Sequence, residues 1–304
     1  MATTAKSRVQ TQVPAANHVA ERNRNRQLLK ILGRIGIYAL LVFIALLIIL
    51  PMLWMLSTSF KPKSQWFLAQ LYWIPKKFTW NNYTQLLNNP LGDTPVTRWF
   101  INSLGISLTS TVLILGLDSL AAYAYTRLEF PGRKFLYGLM LTTLFLPGLM
   151  LLIPNFLTIY NLGLLNSYAG VILPYLAGVF GVFFMSQFFE SLPKELEEAA
   201  RIDGASKFQT FYKIALPLSK AALATLGVIT FLTVWNDFLW PLLVLQDPNL
   251  LTLPPGLSSL QNSYVTQYGP TMAGAVIAAI PVLVIYIALQ RFIVRSVAST
   301  GLKG

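Results

Sequence analysis

The sequence contains no cysteine and a single histidine. Without cysteine, the chain has no disulfide, no thiolate metal site and no cysteine nucleophile. The one histidine, His18, lies in a polar N-terminal stretch outside the apolar segments. A histidine-based metal or catalytic site is therefore not expected, and we predict no catalytic residue, no metal ligand and no cofactor bound by this chain.

Charge is also scarce. Only 11% of the 304 residues are charged and 55% are hydrophobic, whereas soluble domains carry about 25% charged residues. This composition predicts an all-α polytopic membrane protein. The net charge of +12 would indicate nucleic-acid binding in a soluble protein. In a membrane protein the basic residues set topology instead, so no nucleic-acid partner is expected.

Six apolar segments are each long enough to cross a bilayer as a helix of about 20 residues. The stretch from Phe135 to Phe189 has no charged side chain and is too long for one crossing, so we divide it into two spans. Prolines within these two spans predict kinks at Pro147, Pro154 and Pro174. The predicted spans are residues 35–56, 99–124, 135–158, 167–189, 221–245 and 271–289.

Basic residues are distributed unevenly around these spans. Of the 23 Lys and Arg residues, 18 fall in the two tails and in the loops at 125–134 and 190–220. Cytoplasmic segments attract basic residues, so we predict that both termini are cytoplasmic. The first apolar run is too long for a signal peptide and lacks its cleavage site. The predicted divisions are an N-terminal tail (1–34), a six-span domain (35–290) and a C-terminal tail (291–304).

The loop between the first two spans is rich in aromatic residues. Tryptophan and tyrosine favour the headgroup zone of a bilayer, so the loop is either an interfacial belt or a docking surface for an external partner. The aromatic residues concerned are Trp66, Tyr72, Trp73, Trp80 and Tyr83.

A polar island at residues 190–220 separates two spans. Pro193 suits the first turn of a helix and Gly204 the position after its end, so we predict a helix over 193–203 and a second short helix over 205–214. The first helix starts with three acids and carries an apolar stripe. An acidic helix would be repelled by an anionic leaflet, which favours docking on a partner over adsorption to the membrane. The stripe consists of Leu196, Ala199 and Ala200.

Two ionisable residues, Asp118 and Asp237, fall within predicted spans. Such residues are costly in a membrane and usually face a bundle interior or a water-filled cavity. They are candidates for lining a translocation path or a proton relay, and the alternative is a structural hydrogen bond to a neighbouring helix. Asn236 and Trp235 beside Asp237 would suit a polyhydroxylated solute.

The polar island resembles the motif E-A-A, three residues, G, nine residues, I-x-L-P of binding-protein-dependent ABC importer permeases. All seven motif positions fit, in the loop before the penultimate span. Residues 193–205, 235–242 and 121–127 resemble the carbohydrate branch of that family, similar to the maltose-type second permease. The resemblance excludes only residues 1–30. The matching residues are Glu198, Ala199, Ala200, Gly204, Ile214, Leu216 and Pro217.

The resemblance implies a six-helix permease of the ABC importer type I fold, in a bacterial or archaeal plasma membrane. The island would form coupling helices seated on a cytoplasmic ATPase subunit, with Glu198 as a polar anchor and Gly204 at the turn. The predicted ATPase-coupling residues are Glu198, Ala199, Ala200, Asp203, Gly204, Ile214, Leu216 and Pro217. The predicted translocation-path residues are Asp118, Trp235, Asn236 and Asp237.

The sequence has no phosphate-binding G-x-x-x-x-G-K-[ST] motif, so we do not expect this chain to hydrolyse ATP by a P-loop. We predict that the chain is not an enzyme. The resemblance implies that ATP is used by two separate cytoplasmic ATPase subunits. It also implies a second homologous permease, an extracytoplasmic solute-binding protein and membrane lipid as partners.

The expected function is transport of a sugar or sugar-like solute. One alternative keeps the machinery and changes the cargo to a glycerophosphodiester, phosphate or amino acid. Another is an ion-driven secondary transporter, supported only by Asp118 and Asp237. A membrane-embedded enzyme lacks a nucleophile–base or metal constellation.

Overall fold

A computed structural model of the protein describes residues 16–66, 72–88, 95–260 and 268–300. All regular structure within these ranges is helical, as the apolar composition predicts. Short 3₁₀ turns and one π-helical turn (Phe211–Ala215) connect several of the α-helices. The α-helices are α1 (Ala16–Ser59), α2 (Asn81–Asn88), α3 (Val96–Arg127), α4 (Arg133–Thr142), α5 (Leu152–Asn161), α6 (Tyr168–Tyr175), α7 (Phe180–Ser191), α8 (Glu195–Ile202), α9 (Lys207–Thr210), α10 (Leu216–Leu218), α11 (Lys220–Trp235), α12 (Leu239–Val244), α13 (Leu253–Ser259) and α14 (Tyr268–Thr300).

Three helical segments of the described chain are long and apolar enough to cross a membrane. Three further candidates are pairs of helices bent at a short break, which raises the number to six if each pair is one span. The unbroken segments are Lys30–Ser59, Val96–Arg127 and Tyr268–Gln290; the bent pairs are Arg133–Phe145 with Gly148–Asn161 (100°), Tyr168–Tyr175 with Phe180–Ser191 (42°), and Lys207–Leu218 with Lys220–Trp235 (77°).

Two of the three prolines predicted to cause kinks lie at breaks. Pro147 lies between the two arms of the 100° bend, and Pro174 is the penultimate residue of α6, just before the 42° bend. Pro154 is the exception, because it occupies the first turn of α5. A proline there removes no intrahelical hydrogen bond, so the helix runs through it.

The fifth span differs from its predicted form. Residues 221–245 were expected to be one crossing, but α11 ends at Trp235 and α12 begins at Leu239. Asp237 stabilises the interruption, because its Oδ1 accepts a hydrogen bond from the backbone N–H of Trp240 (3.4 Å) at the start of α12. A carboxylate that accepts a backbone N–H at a helix start competes with helix continuation.

The two tails are not separated from the spans by a break in structure. Residue 34 lies within α1 and residue 291 within α14. The predicted limits at these positions therefore divide continuous helices.

The chain forms two compact units, divided after Trp54. The first is helical over its described residues from Ala16 onwards. Its large apolar side chains from Ile31 to Leu53 are 42–68% exposed. A helix that is apolar on every side requires lipid or a partner to cover it.

Helix α3 is the centre of the second unit. It packs against α7, α11, α6 and α13. Its buried face carries small polar residues, which permit close helix–helix approach. At 1.5 Å per residue, its 32 residues extend about 48 Å. The buried small residues are Ser103, Ser107, Ser110, Thr111 and Ser119.

The N-terminal end of α3 is tied to residues 248–253 by neutral hydrogen bonds. Trp99 donates from Nε1 to the carbonyl of Pro248 (2.6 Å). Asn102 donates from Nδ2 to two carbonyls of this segment, both at 2.9 Å. The hydroxyl of Ser103 accepts the backbone N–H of Leu253 (2.7 Å). Asn102 also accepts from the hydroxyl of Tyr168 (2.7 Å), which joins the start of α6 to the same point.

Candidate functional site

The polar island contains the predicted helix and turn. The first helix, predicted over 193–203, is α8 at Glu195–Ile202. Gly204 follows it with φ +83°. The backbone N–H of Ala205 bonds to the carbonyl of Ala200 (2.9 Å), and that of Gly204 to the carbonyl of Arg201 (3.0 Å). These bonds satisfy the last carbonyls of α8, and the left-handed residue that closes them is glycine because it has no Cβ.

The second helix is present but is not a regular α-helix over its predicted length: α9, the π-helical turn and α10 follow one another without a gap over Lys207–Leu218. Helix α9 is held at its start by a capping box, in which Ser206 Oγ accepts the N–H of Gln209 (3.2 Å) and Gln209 Oε1 accepts the N–H of Ser206 (2.9 Å). After Thr210 the chain widens into the π-helical turn before Pro217. Pro217 has no N–H, and its ring would clash with the carbonyl four residues earlier in a regular α-helix. The chain therefore passes from α9 to α10 through the π-helical turn.

The island exposes large apolar side chains among its charged residues, and these side chains are more aromatic than the predicted stripe. Leu196 and Ala199 are exposed as expected, but Ala200 is buried (8% exposed) and packs inwards. Large side chains beyond the stripe complete the exposed area. We define the apolar docking surface as Leu196, Ile202, Phe208 and Tyr212, which are 45%, 87%, 67% and 63% exposed.

The predicted coupling residues lie around this surface, with different exposure. Glu198, Asp203 and Pro217 are exposed, whereas Ile214 and Leu216 are half-buried. Exposed acids beside apolar side chains can meet basic groups on a partner.

The acid that holds the island to the helix bundle is Glu197. It is 6% exposed. Its Oε1 lies 3.2 Å from Arg127 Nε and its Oε2 accepts a hydrogen bond from the hydroxyl of Tyr123 (3.2 Å). The Nε–Oε1 contact is an ion pair without hydrogen-bond alignment. We name Tyr123, Arg127 and Glu197 the α3–α8 anchor.

Sequence reasoning did not predict the α3–α8 anchor. Glu197 was grouped with Glu195 and Glu198 as acids that suit a helix start. The available signal was spacing: Glu197 and Ala200 are three residues apart and therefore share a helix face, and this face is the buried one. Tyr123 and Arg127 had been noted only as part of the 121–127 resemblance.

The second group of polar residues surrounds a cavity beside α3. The cavity has a volume of about 390 Å³ and is lined by Asp118, Tyr175, Thr230 and Thr233 together with apolar side chains. Asp118 is 3% exposed, and its Oδ2 has no hydrogen-bond partner among the described residues. This oxygen lies against Gly181 so closely that a Cβ at that position would overlap it.

Asp237 is connected to this cavity through Tyr175, whose hydroxyl donates to Asp237 Oδ2 (2.6 Å). The structure therefore brings Asp118, Tyr175 and Asp237 together at the interruptions after α6 and α11. Asn236 is exposed and donates from Nδ2 to the carbonyl of Leu232 (2.8 Å).

Trp235 has different surroundings from the other predicted path residues. Its side chain is 2% exposed and its Nε1 donates to the carbonyl of Ala278 in α14 (3.1 Å). Its ring stacks on Phe231, with 5.7 Å between the centroids. Trp235 is thus a packing residue between α11 and α14.

Residues 114–299 match the family model described as binding-protein-dependent transport system inner membrane component. The chain belongs to this family. The match includes the island, the α3–α8 anchor and the cavity residues, and it makes the protein an inner membrane component of a transport system.

Relatives in this family align over most of the chain. The arabinooligosaccharides transport system permease protein AraQ of Bacillus subtilis (strain 168) is 35% identical over 273 residues, covering 89% of this chain and 96% of the relative. The sn-glycerol-3-phosphate transport system permease protein UgpE of Yersinia pestis bv. Antiqua (strain Antiqua) is 36% identical over 267 residues, covering 86% and 95%.

A solved structure also aligns with this permease. It belongs to a bacterial ABC transporter involved in the import of the acidic polysaccharide alginate, with a TM-score of 0.76 and 25% identity. The alignment covers 86% of this chain and 96% of that chain. The predicted fold, an ABC importer permease, is confirmed by this likeness.

Proposed function

We propose that this chain forms, with a second related permease, the translocation path of an ATP-driven importer for a sugar or sugar-like solute. An extracytoplasmic binding protein delivers the solute, and two cytoplasmic ATPase subunits hydrolyse ATP. The family supports the permease role. The names of AraQ and of the alginate transporter support the cargo class.

The apolar docking surface carries this proposal. Four large apolar side chains stand exposed on α8, on α9 and on the π-helical turn that follows. Helix α9 starts with a capping box, a left-handed glycine joins it to α8, and Glu197 holds α8 to the bundle. A partner is required to cover such a surface, because exposed apolar patches on rigid elements mark interaction sites. We assign that partner as an ATPase subunit, with Glu198 and Asp203 at the rim and Ala199 in the contact.

The remaining predicted coupling residues lie outside the apolar docking surface and support it. Ala200 packs on the bundle side of α8, while Ile214 and Leu216 are half-buried along the return to α10. Their role is to hold the two helices at a fixed angle. Pro217 lies in α10, directly after the π-helical turn.

The translocation path, in this proposal, passes the cavity lined by Asp118 and Tyr175. Membrane-buried ionisable residues and interrupted helices mark solute pathways. Asp237 and the exposed Asn236 contribute from the interruption after α11. Trp235 supports the path by packing and does not line it. The basic bias of the tails and of the loops at 125–134 and 190–220 supports cytoplasmic termini.

The turn at Gly204 provides a test with a matched control. Gly204 and Gly163 both have positive φ (+83° and +66°), and a Cβ at either position would meet no atom within 4 Å. Valine therefore introduces a comparable strain of about 1–2 kcal/mol at each site. We expect Gly204→Val to lower solute uptake per ATP hydrolysed severalfold in the reconstituted complex, and Gly163→Val to leave this ratio unchanged. If solute uptake per ATP hydrolysed is equal in the two variants, the island has no special role in coupling.

A phosphorylated cargo is the second candidate, and the identity with UgpE favours it. Uptake of labelled oligosaccharides and of glycerol 3-phosphate by the same reconstituted complex separates the two cargo classes. The assay runs with ATP, without ATP and with ion gradients collapsed. Uptake that follows the gradient and not ATP would contradict the ATP-driven mechanism for either cargo.

A further inference from the structure

We infer that Tyr123, Arg127 and Glu197 are positioning residues that transfer displacement of α8 to α3. This inference rests on the proposed docking of an ATPase subunit on α8. It assigns the mechanical link between the island and the bundle to one buried ion pair and its neighbouring hydroxyl.

Arg127 joins three segments at one point. It is the last residue of α3 and pairs with Glu197 of α8. Its Nη2 also donates to the carbonyls of Phe189, near the end of α7, and of Leu192 in the α7–α8 connection (2.8 Å to the latter). Carbonyls at a helix end lack intrahelical donors. The guanidinium therefore fixes the end of α7 and the start of the island together.

The carboxylate of Glu197 is held from two sides by α3. Tyr123 and Arg127 are four residues apart and lie on the same face of that helix. Each contacts a different oxygen of the carboxylate. Helix α8 cannot rotate or slide along α3 without breaking one of these contacts.

Burial makes this contact expensive to break. The Arg127 and Glu197 side chains are only 5% and 7% exposed. When a buried ion pair separates, each charge loses its partner before it regains water. Moving α3 together with α8 avoids that cost, so displacement of the island is passed on and not absorbed locally.

The ring of Tyr123 extends the link to the second half of the island. It packs edge-on against Phe189, with 5.8 Å between the ring centroids, and at a tilt against Phe211, with 5.1 Å between the centroids. Phe211 begins the π-helical turn after α9. Helix α8, through Glu197, and the π-helical turn, through Phe211, thus both contact Tyr123 on α3.

Helix α3 is suited to carry the movement onwards. It is one continuous helix, unlike the bent pairs around it. Asp118 lies on it, and its N-terminal end holds residues 248–253 through Trp99, Asn102 and Ser103. A displacement of α3 at Arg127 therefore moves Asp118 at the cavity and the N-terminal end of the helix at the same time.

Glu197→Gln tests the inference in the complete transporter. Glutamine keeps the shape and can accept from Tyr123, but it removes the charge that holds Arg127. We expect the ATPase subunits to co-purify as in the wild type, because the apolar docking surface is intact. Uptake per ATP hydrolysed should fall at least tenfold. Glu190→Gln is the matched control, since it removes an exposed acid at the end of α7 and should leave the ratio unchanged.

A double variant separates positioning from folding. Arg127→Met with Glu197→Leu leaves no buried charge unpaired, and such apolar replacements are often neutral for stability. We expect normal assembly and the same low uptake per ATP. Thermal stability should fall only by the hydrogen bonds to Phe189, Leu192 and Tyr123 that the double variant also loses. If the double variant couples uptake to ATP as the wild type does, the ion pair is structural only and the inference fails. The inference also fails if Glu197→Gln assembles and couples normally.

The double variant also decides the case in which Glu197→Gln does not assemble. An assembled double variant with low uptake per ATP then supports the inference. A double variant that also fails to assemble overturns it, because the pair is then needed for folding. Failure of the underlying proposal looks different: the wild-type complex itself would show no ATP-dependent uptake.

Discussion

The two ends of α3 are fastened in chemically different ways. At the C-terminal end a buried guanidinium meets a buried carboxylate, and both side chains are less than a tenth exposed. At the N-terminal end Trp99, Asn102 and Ser103 make neutral hydrogen bonds to the backbone of residues 248–253. One end is thus held by charge and the other by neutral polar groups.

This difference predicts how each end responds to the loss of one partner. A buried charge left alone is strongly unfavourable, whereas a carbonyl at a half-buried site can turn to water at a smaller cost. Loss of one partner should therefore lower the free energy of unfolding strongly at the C-terminal end of α3 and only moderately at its N-terminal end. Single substitutions of similar size at the two ends measure this contrast.

The largest effect is expected from Arg127→Met. It removes the positive partner of Glu197 and the donor to the carbonyls of Phe189 and Leu192. The free energy of unfolding should fall by about 3–5 kcal/mol. Unfolding in detergent micelles by graded sodium dodecyl sulfate provides the measurement. Lys134→Met, an exposed basic residue beyond the end of α3, is the control and should change the value little.

An intermediate effect is expected from Asn102→Leu. The substitution keeps the volume but leaves two carbonyls and the hydroxyl of Tyr168 without their partner. A loss of about 1–3 kcal/mol is expected in the same measurement. Limited proteolysis should also cut residues 246–252 faster. Asn161→Leu, at an exposed helix end, serves as the control. A loss as large as that of Arg127→Met would abolish the contrast between the two ends.

The smallest effect is expected from Tyr168→Phe, and a second hydroxyl deletion, Tyr123→Phe, sharpens the comparison. Tyr168→Phe removes a hydrogen bond to a neutral amide, worth about 0.5–1.5 kcal/mol. Tyr123→Phe removes one to a carboxylate, worth about 1.5–3 kcal/mol. Both phenylalanines fill nearly the same space, so the difference in unfolding free energy reports the charge of the acceptor. Equal values would mean that the carboxylate is not the stronger acceptor.

Local chemistry in the sequence was enough to predict much of the island. Gly204 and the acids at the start of α8 indicate a helix and a left-handed turn without any distant partner. Pro193 was expected in the first turn but lies before the N-cap residue, Lys194. The apolar runs predict the spans for the same reason, because length and hydropathy are local properties. Pro147 and Pro174 correctly indicated breaks. A proline alone does not decide this, because Pro51 lies inside α1 and Pro281 inside α14 without interrupting either helix.

Features that depend on distant partners could not be predicted in this way. Spacing places Glu197 on the same helix face as Ala200 but does not show that this face is buried; the role of Glu197 comes from Tyr123, which is 74 positions away. Helix periodicity shows which residues share a face but not whether that face points to solvent or to the bundle. Ala200 was therefore wrongly expected on an exposed stripe. The interruption at Asn236–Phe238 was missed for a related reason: the stretch is apolar enough to continue, and Asp237 ends the helix through side-chain bonds to Trp240 and Tyr175.

The separation of Tyr123 from Glu197 has a consequence for synthesis. The ribosome completes α3 long before it reaches α8, and closing a contact over 74 positions waits until the intervening helices have been inserted. A nascent or truncated chain that ends after α7 carries the guanidinium of Arg127 without its counter-ion. The ion pair therefore forms only in a chain whose synthesis has passed α8, and it distinguishes such a chain from one that ends after α7.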